Sequence, residues 1–166
     1  MSLPFIKSPP GETPVVAEIE VAASTARAFR AFTDPADIKK WFGPGEPSLA
    51  RAHVELRTGG LWEFAFSAGE DGQIDTLRGS YLEIRPGERL VFTWQHERVL
   101  ADGQRETTAQ SLVTVTFETS GKGAFVRLVH EGIAARSGRL GVADGWNHSM
   151  QRIAALVEEE LAPDRA

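Results

Sequence analysis

The stretch "DGWNHSMQRIAALVEEEL", Asp144 to Leu161, predicts the long helix on which the fold depends. At about 100° per residue the helix carries one apolar stripe. The stripe consists of Trp146, Met150, Ile153, Val157 and Leu161. Asp144 is the predicted N-cap, so we expect the helix to begin within a few residues of it. His148 lies about 200° around the helix from Trp146 and is expected to face water, whereas Trp146 faces what the helix covers.

The bulk composition is typical of one globular domain. The chain has 166 residues, of which 42% are hydrophobic and 25% are charged. The formal net charge is −5 and no basic run is longer than Lys39-Lys40, which argues against a nucleic acid or an anionic membrane as partner. The chain contains no cysteine, which excludes disulfides and thiolate sites. No apolar segment approaches the ~20 residues that span a bilayer, and no signal-peptide core follows the start, so we expect a cytoplasmic protein.

Turn and capping signals divide the first part of the chain. Residues 1–13 contain three prolines and are predicted to form an extended arm, with one domain following at 14–162. Alternating apolar residues predict a strand over 14–22. Two short helices follow, the first capped by Ser24 and the second starting at Asp34-Pro35.

The middle of the chain contains only strand and turn signals. Short glycine-rich connections predict antiparallel neighbours, which gives a seven-stranded sheet when the first strand is included. The glycine-bearing segment "AARSGRLGVAD", 134–144, is interpreted as a loop before the long helix. The six later strands are predicted at 48–57, 60–67, 75–85, 88–98, 109–119 and 123–131.

Turn geometry predicts which side chains face the helix. A two-residue turn at Pro86-Gly87 and another at Gly121-Lys122 each set a hairpin register. The first turn pairs Tyr81 with Phe92, Gly79 with Trp94 and Leu77 with His96. The second pairs Phe117 with Val126, Val115 with Leu128 and Val113 with His130. In these registers His130 and His96 point inward, with His96 at the rim, and His53 points outward.

Five segments occur in an order typical of one family. They are "STARAFRAFTDPADIKKWFGP" (24–44), "RGSYLEIRPGERLVFTW" (78–94), "SLVTVTFE" (111–118), "RLVHEG" (127–132) and the long helix. Across nearly the whole chain, the sequence resembles the activator-of-heat-shock-protein-90-ATPase homologue family. This family belongs to the START-like, birch-pollen-allergen-like (SRPBCC) superfamily. The resemblance implies an α+β helix-grip fold, in which a curved antiparallel sheet surrounds the C-terminal helix. It also implies a ligand cavity between sheet and helix.

The inward face supplies the candidate cavity residues. The main hypothesis is a small hydrophobic ligand bound without an assigned reaction, in a protein that is a monomer or a homodimer. One ring nitrogen of His130 is expected to be free to orient a ligand oxygen. The predicted cavity residues are Trp62, Phe64, Tyr81, Trp94, His130, Trp146 and Met150.

Two other functions and a purely structural alternative remain open at this stage. In a cyclase or hydrolase, His130 would be the acid–base group and Tyr81 its helper. The family resemblance also suggests a co-chaperone that stimulates a chaperone ATPase. In the structural alternative, His130 is a hydrogen-bonded core histidine and the tryptophans only pack. No metal or cofactor is predicted, because no HExxH, GxSxG, P-loop or GxGxxG motif occurs.

Overall fold

The computed structural model describes residues 5–6, 14–42, 49–66, 68–69, 71–133 and 136–159. Within these residues the chain forms nine strands and three helices. The helices are α1 (Thr25–Thr33), α2 (Pro35–Trp41) and α3 (Arg136–Glu159). The strands are β1 (Phe5–Ile6), β2 (Val15–Val21), β3 (Leu49–Val54), β4 (Leu61–Phe66), β5 (Ile74–Arg85), β6 (Arg89–Val99), β7 (Arg105–Thr107), β8 (Ser111–Thr119) and β9 (Ala124–Glu131).

The strands form one curved antiparallel sheet in the order β1-β2-β9-β8-β6-β5-β4-β3, with β7 paired to β6. All seven predicted strands are present, and the α+β helix-grip prediction is confirmed. The structure adds two short strands. β1 pairs with β2 from within the segment predicted as an extended arm, and β7 extends the sheet beside the end of β6.

Side-chain caps define the two short helices as predicted. Ser24 Oγ accepts a hydrogen bond from Arg27 N at the start of α1. Asp34 ends α1 and caps α2 by accepting from Ala36 N, and Pro35 occupies the first turn of α2. Trp41, at the end of α2, lies in the core, where its Nε1 donates to Ala31 O at 2.7 Å.

The predicted start of the long helix is wrong. α3 begins at Arg136, so most of the segment interpreted as a loop is helical and Asp144 lies inside the helix rather than at its N-cap. Gly138 and Gly141 lower the helix propensity of this part, which is why the sequence pattern indicated a loop. Propensity is a weak preference that packing overrides, and Gly138 packs closely against Ile133.

Five of the six predicted hairpin pairs are present, and Gly79 has Trp62 of β4 as its cross-strand partner. Val113 pairs with His130 across the Gly121-Lys122 turn, as expected, and Tyr81 pairs with Phe92. The β5–β6 turn itself is longer than predicted, because three residues separate the strand ends. A register shift between Tyr81 and Glu83 compensates for the extra residue and restores the expected pairs further along the strands.

The apolar stripe of α3 packs on the concave face of the sheet. Met150, Ile153 and Val157 are fully buried, and Trp146 is 4% exposed. They join the same core as the inward residues of β2, β8 and β9. Leu161, the last predicted member of the stripe, lies outside the described residues. His148 is exposed, as predicted.

We predict that Gly79→Ala destabilises the sheet severely. A β-carbon at Gly79 would lie 1.9 Å from Thr93 O and 2.6 Å from Trp62 Nε1, where Trp62 Nε1 now donates to Thr93 O at 3.1 Å. Because the backbone oxygen cannot move freely, we expect the free energy of unfolding in urea to fall by about 3 kcal/mol. Gly121→Ala is the control, since a β-carbon there meets nothing within 4 Å. Equal stability of the two variants would contradict the packing described here.

Candidate functional site

A cleft of about 730 Å³ opens between α3 and the β4–β6 part of the sheet. Phe42 contributes from the end of α2, and residues 141–152 of α3 form the opposite wall. The lining residues are Phe42, Phe66, Asp75, Leu77, Trp94, His96, Arg98, Gly141, Val142, Asp144, Gly145, Trp146, His148, Ser149 and Arg152.

The floor of the cleft is aromatic. The rings of Trp94 and Trp146 lie 5.5 Å apart, centroid to centroid, and Phe42 lies 6.0 Å from Trp94. Trp94 keeps part of its surface exposed, whereas Trp146 is buried except at the cleft. Leu77 and Phe66 extend this surface along the strands. The floor therefore offers apolar contact area to a flat molecule.

The sheet side of the cleft mouth carries a group of polar side chains. His96 Nε2 lies 2.8 Å from Asp75 Oδ1, and Arg98 Nε donates to the same oxygen at 2.9 Å. Burial raises the pKa of the Asp75 carboxyl, but the hydrogen bonds from Arg98 and His96 and their charges outweigh burial and leave that pKa below its usual value. Asp75 is therefore an ionised acceptor at neutral pH.

The helix side of the mouth is polar too. His148 Nδ1 donates to Asp144 O at 3.0 Å, and the Asp144 carboxylate lies 3.6 Å from the same nitrogen. Arg152 Nη1 donates to Trp41 O at 3.3 Å, which ties α3 to the end of α2. The cleft thus has an apolar floor and a mouth with charged side chains on both walls.

His130 lies behind the cleft wall with both ring nitrogens hydrogen-bonded. Trp146 Nε1 donates to His130 Nδ1 at 3.1 Å, so this nitrogen carries no proton. His130 Nε2 therefore carries the proton and donates to Ser111 Oγ at 2.7 Å, and Ser111 Oγ donates to Trp94 O at 3.3 Å. Burial lowers the pKa of His130 to about 4. The prediction of a free ring nitrogen on His130 is therefore wrong, because Ser111 binds Nε2 and Trp146 binds Nδ1.

The structure brings only some of the predicted residues to the cleft. Trp94 and Trp146 line it, but five others do not line it and are buried beneath or beside its walls. Those five are Trp62, Phe64, Tyr81, His130 and Met150. Trp62 and His130 nevertheless support the floor, since their ring centroids lie 5.6 Å and 5.2 Å from that of Trp94.

Several lining residues were missed by the sequence reasoning. Asp75 and Arg98 share the alternation of Leu77 and His96 along β5 and β6, so strand parity could have found them. Gly141 and Val142 were hidden because their segment was interpreted as a loop. His148 was expected to face water away from the ligand site. It is exposed, but it lies at the mouth of the cleft.

In the part of the chain that the structure describes, no group of three or more histidine and acidic side chains is arranged to hold a metal ion. No helix there is both long enough and apolar enough to cross a membrane.

Comparison with known proteins gives a consistent match. Residues 22–158 match the family model described as activator of Hsp90 ATPase homolog 1-like protein. A Chromobacterium violaceum protein of known structure is similar at 29% identity and TM-score 0.74, over 92% of this chain and 100% of that chain. The AHSA1 protein from Silicibacter pomeroyi has 24% identity and TM-score 0.71, over 89% and 99% of the two chains.

The fold likeness extends to more distant sequences. A Staphylococcus aureus protein of unknown function has 13% identity and TM-score 0.73, over 90% of this chain and 95% of that chain. A search of curated proteins found no significant match.

We predict that His130 makes stability depend on pH. Its pKa is about 4 in the fold and about 6.5 in the unfolded chain, so the unfolded chain binds the proton first as pH falls. The contribution of the neutral ring is present above about pH 6.5 and is lost as pH falls toward 4. Between pH 7 and pH 5 we expect this group to remove about 2 kcal/mol from the free energy of unfolding.

Urea unfolding of the unmodified chain and of His130→Gln at both pH values measures this contribution. The glutamine keeps a donor and an acceptor but does not titrate. Between pH 7 and pH 5, the free energy of unfolding of His130→Gln should therefore fall by about 2 kcal/mol less than that of the unmodified chain. Identical losses would show that His130 is not held neutral by the core.

Proposed function

Because the chain belongs to the activator of Hsp90 ATPase homolog 1-like family, as its sequence motifs predict, we propose that it binds a small apolar molecule in the cleft between α3 and the sheet. The observation that carries this proposal is the aromatic floor, where Trp94 and Trp146 stand 5.5 Å apart beside an opening. A buried core would close such a surface, whereas a ligand site leaves it accessible.

The size and chemistry of the cleft support a small-molecule ligand. Its volume of about 730 Å³ falls within the range of roughly 300–1,000 Å³ that is typical of ligand pockets. The lining joins six apolar side chains, which offer contact area, to seven polar or charged ones, which can orient a ligand. Of the predicted cavity residues, Trp94 and Trp146 would contact the ligand, and Trp62 and His130 would hold those two rings in place.

The same geometry makes acid–base chemistry at His130 unfavourable. Both ring nitrogens are used inside the core, and the side chain is 1% exposed. A proton exchange with a ligand would require breaking the bond to Trp146 or the bond to Ser111. We therefore propose binding without a reaction at His130. Tyr81, its suggested helper, is 2% exposed and packs against Phe92.

Activation of a chaperone ATPase, which the family description names, stays a prediction. Its measurement is the ATP hydrolysis rate of the chaperone with a stoichiometric amount of this chain. Cytoplasmic location and the choice between monomer and homodimer also stay predictions.

We predict that Gly141→Phe blocks the cleft. Gly141 lines it from α3, and a β-carbon there meets nothing within 4 Å, so the added ring can occupy the ligand space without disturbing the fold. The neutral fluorophore N-phenyl-1-naphthylamine is a suitable probe, since its emission rises on apolar burial. Losing roughly 60 Å² of apolar contact weakens binding about tenfold, at about 25 cal/mol per Å².

Gly141→Ala is the matched control. It also raises helix propensity above that of glycine but adds only one methyl group. We expect its dissociation constant to equal that of the unmodified chain. If Gly141→Phe and Gly141→Ala bind the fluorophore equally well, the molecule binds elsewhere and the cleft is not the ligand site.

A further inference from the structure

The polar end of the cleft has a definite arrangement of donors and acceptors. Leu77 pairs with His96 and Asp75 pairs with Arg98 on the adjacent strands β5 and β6, so all four side chains lie on the face that lines the cleft. Asp75 Oδ1 binds both His96 Nε2 and Arg98 Nε. Asp75 therefore holds the two other polar side chains in position.

Asp75 determines which nitrogen of His96 remains available. Its ionised carboxylate can only accept, so the nitrogen at 2.8 Å, Nε2, carries the proton. In the neutral ring Nδ1 then holds a lone pair, and no described residue hydrogen-bonds to it. The His96 side chain is 35% exposed, which leaves this acceptor accessible at the cleft mouth.

Arg98 supplies donors next to this acceptor. It is bound to Asp75 through Nε, and its terminal amino groups have no hydrogen-bond partner among the described residues. The Asp75 carboxylate balances the charge of Arg98. Its hydrogen bond and charge raise the pKa of Arg98, with smaller contributions from the charges of Glu106 and Asp71. The site thus offers hydrogen-bond donors without an excess of positive charge, which favours a neutral polar group over an anion.

The opposite wall carries polar groups in a different arrangement. On α3, His148 Nδ1 donates to the helix carbonyl of Asp144, the Asp144 carboxylate faces that ring, and Arg152 donates to Trp41 O. In its neutral ring, His148 Nε2 therefore also holds a lone pair, so both walls carry an imidazole acceptor. On the sheet side the acceptor, His96 Nδ1, is held beside the Arg98 guanidinium by one carboxylate, and this pairing of acceptor and donor suits a hydroxyl group.

We propose that His96 and Arg98 recognise the hydroxyl group of a hydroxylated aromatic ligand. The hydroxyl donates to His96 Nδ1 and accepts from the Arg98 guanidinium, while the aromatic body lies on Trp94 and Trp146. This inference rests on the proposed function, since it assigns the ligand class of the same cleft. Asp75 acts as a positioning residue, because it fixes the ring of His96 without touching the ligand.

The test compares three naphthalenes of the same size by equilibrium dialysis. 2-Naphthol donates and accepts, 2-methoxynaphthalene accepts only, and 2-naphthoate is anionic. One hydrogen bond to a neutral acceptor makes 2-naphthol bind about fivefold more tightly than 2-methoxynaphthalene. In His96→Phe this ratio should fall to about one, because the acceptor is lost. In Arg98→Gln both compounds should weaken together, because each accepts from Arg98.

His53→Phe is the matched control for the histidine. His53 also has a carboxylate beside it, since its Nε2 lies 3.1 Å from Glu55 Oε2, but it does not line the cleft. It should keep the fivefold ratio. The inference is overturned if 2-methoxynaphthalene binds and 2-naphthol binds no tighter, if 2-naphthoate binds tightest, or if His96→Phe keeps the ratio. Failure of all three compounds to bind overturns the proposed function itself, and the ligand class with it.

Discussion

The hydrogen bond from Trp146 Nε1 to His130 Nδ1 joins α3 to the sheet at the centre of the molecule. A buried indole N–H and a buried imidazole are each costly to leave unpaired, and here each satisfies the other. The apolar stripe supplies most of the burial energy, but an apolar surface alone is non-directional. This directional bond, together with the one from Arg152 to Trp41 O, sets the rotation of α3 about its axis, and the residues that α3 presents to the cleft depend on that rotation.

The cleft exists because the start of α3 carries small side chains where it crosses the sheet. Gly141 and Gly145 line the opening, and a β-carbon at either position would meet nothing within 4 Å. Further along, Met150 and Ile153 are fully buried against the sheet. One helix therefore packs on the core with its apolar stripe and leaves space beside that stripe, where Gly141 and Gly145 lie. The low helix propensity of the glycines is tolerated because the packed stripe holds the helix in place.

Core and cleft share one hydrogen-bond chain. Ser111 accepts from His130 and donates to Trp94 O, so the neutral histidine helps to position the strand that carries the cleft floor. His130 thus has a structural role, whereas His96 and His148 are the histidines that line the cleft. The two are distinguished by their partners: His130 bonds to Ser111 and Trp146 in the core, whereas His96 bonds to Asp75 at an exposed edge.

The sequence by itself determined seven of the nine described strands, most of the hairpin pairs and the buried stripe, because alternation in strands and the period of helices are local properties of the chain. Val113 opposite His130 followed from one turn and a two-residue period. Only the tertiary structure decided where α3 begins, since packing overrode the glycines, and which residues line the cleft. It also decided which groups bind the two ring nitrogens of His130, because Trp146 reaches His130 only when α3 is packed on the sheet. Long-range contacts of this kind leave no periodic signal in the sequence.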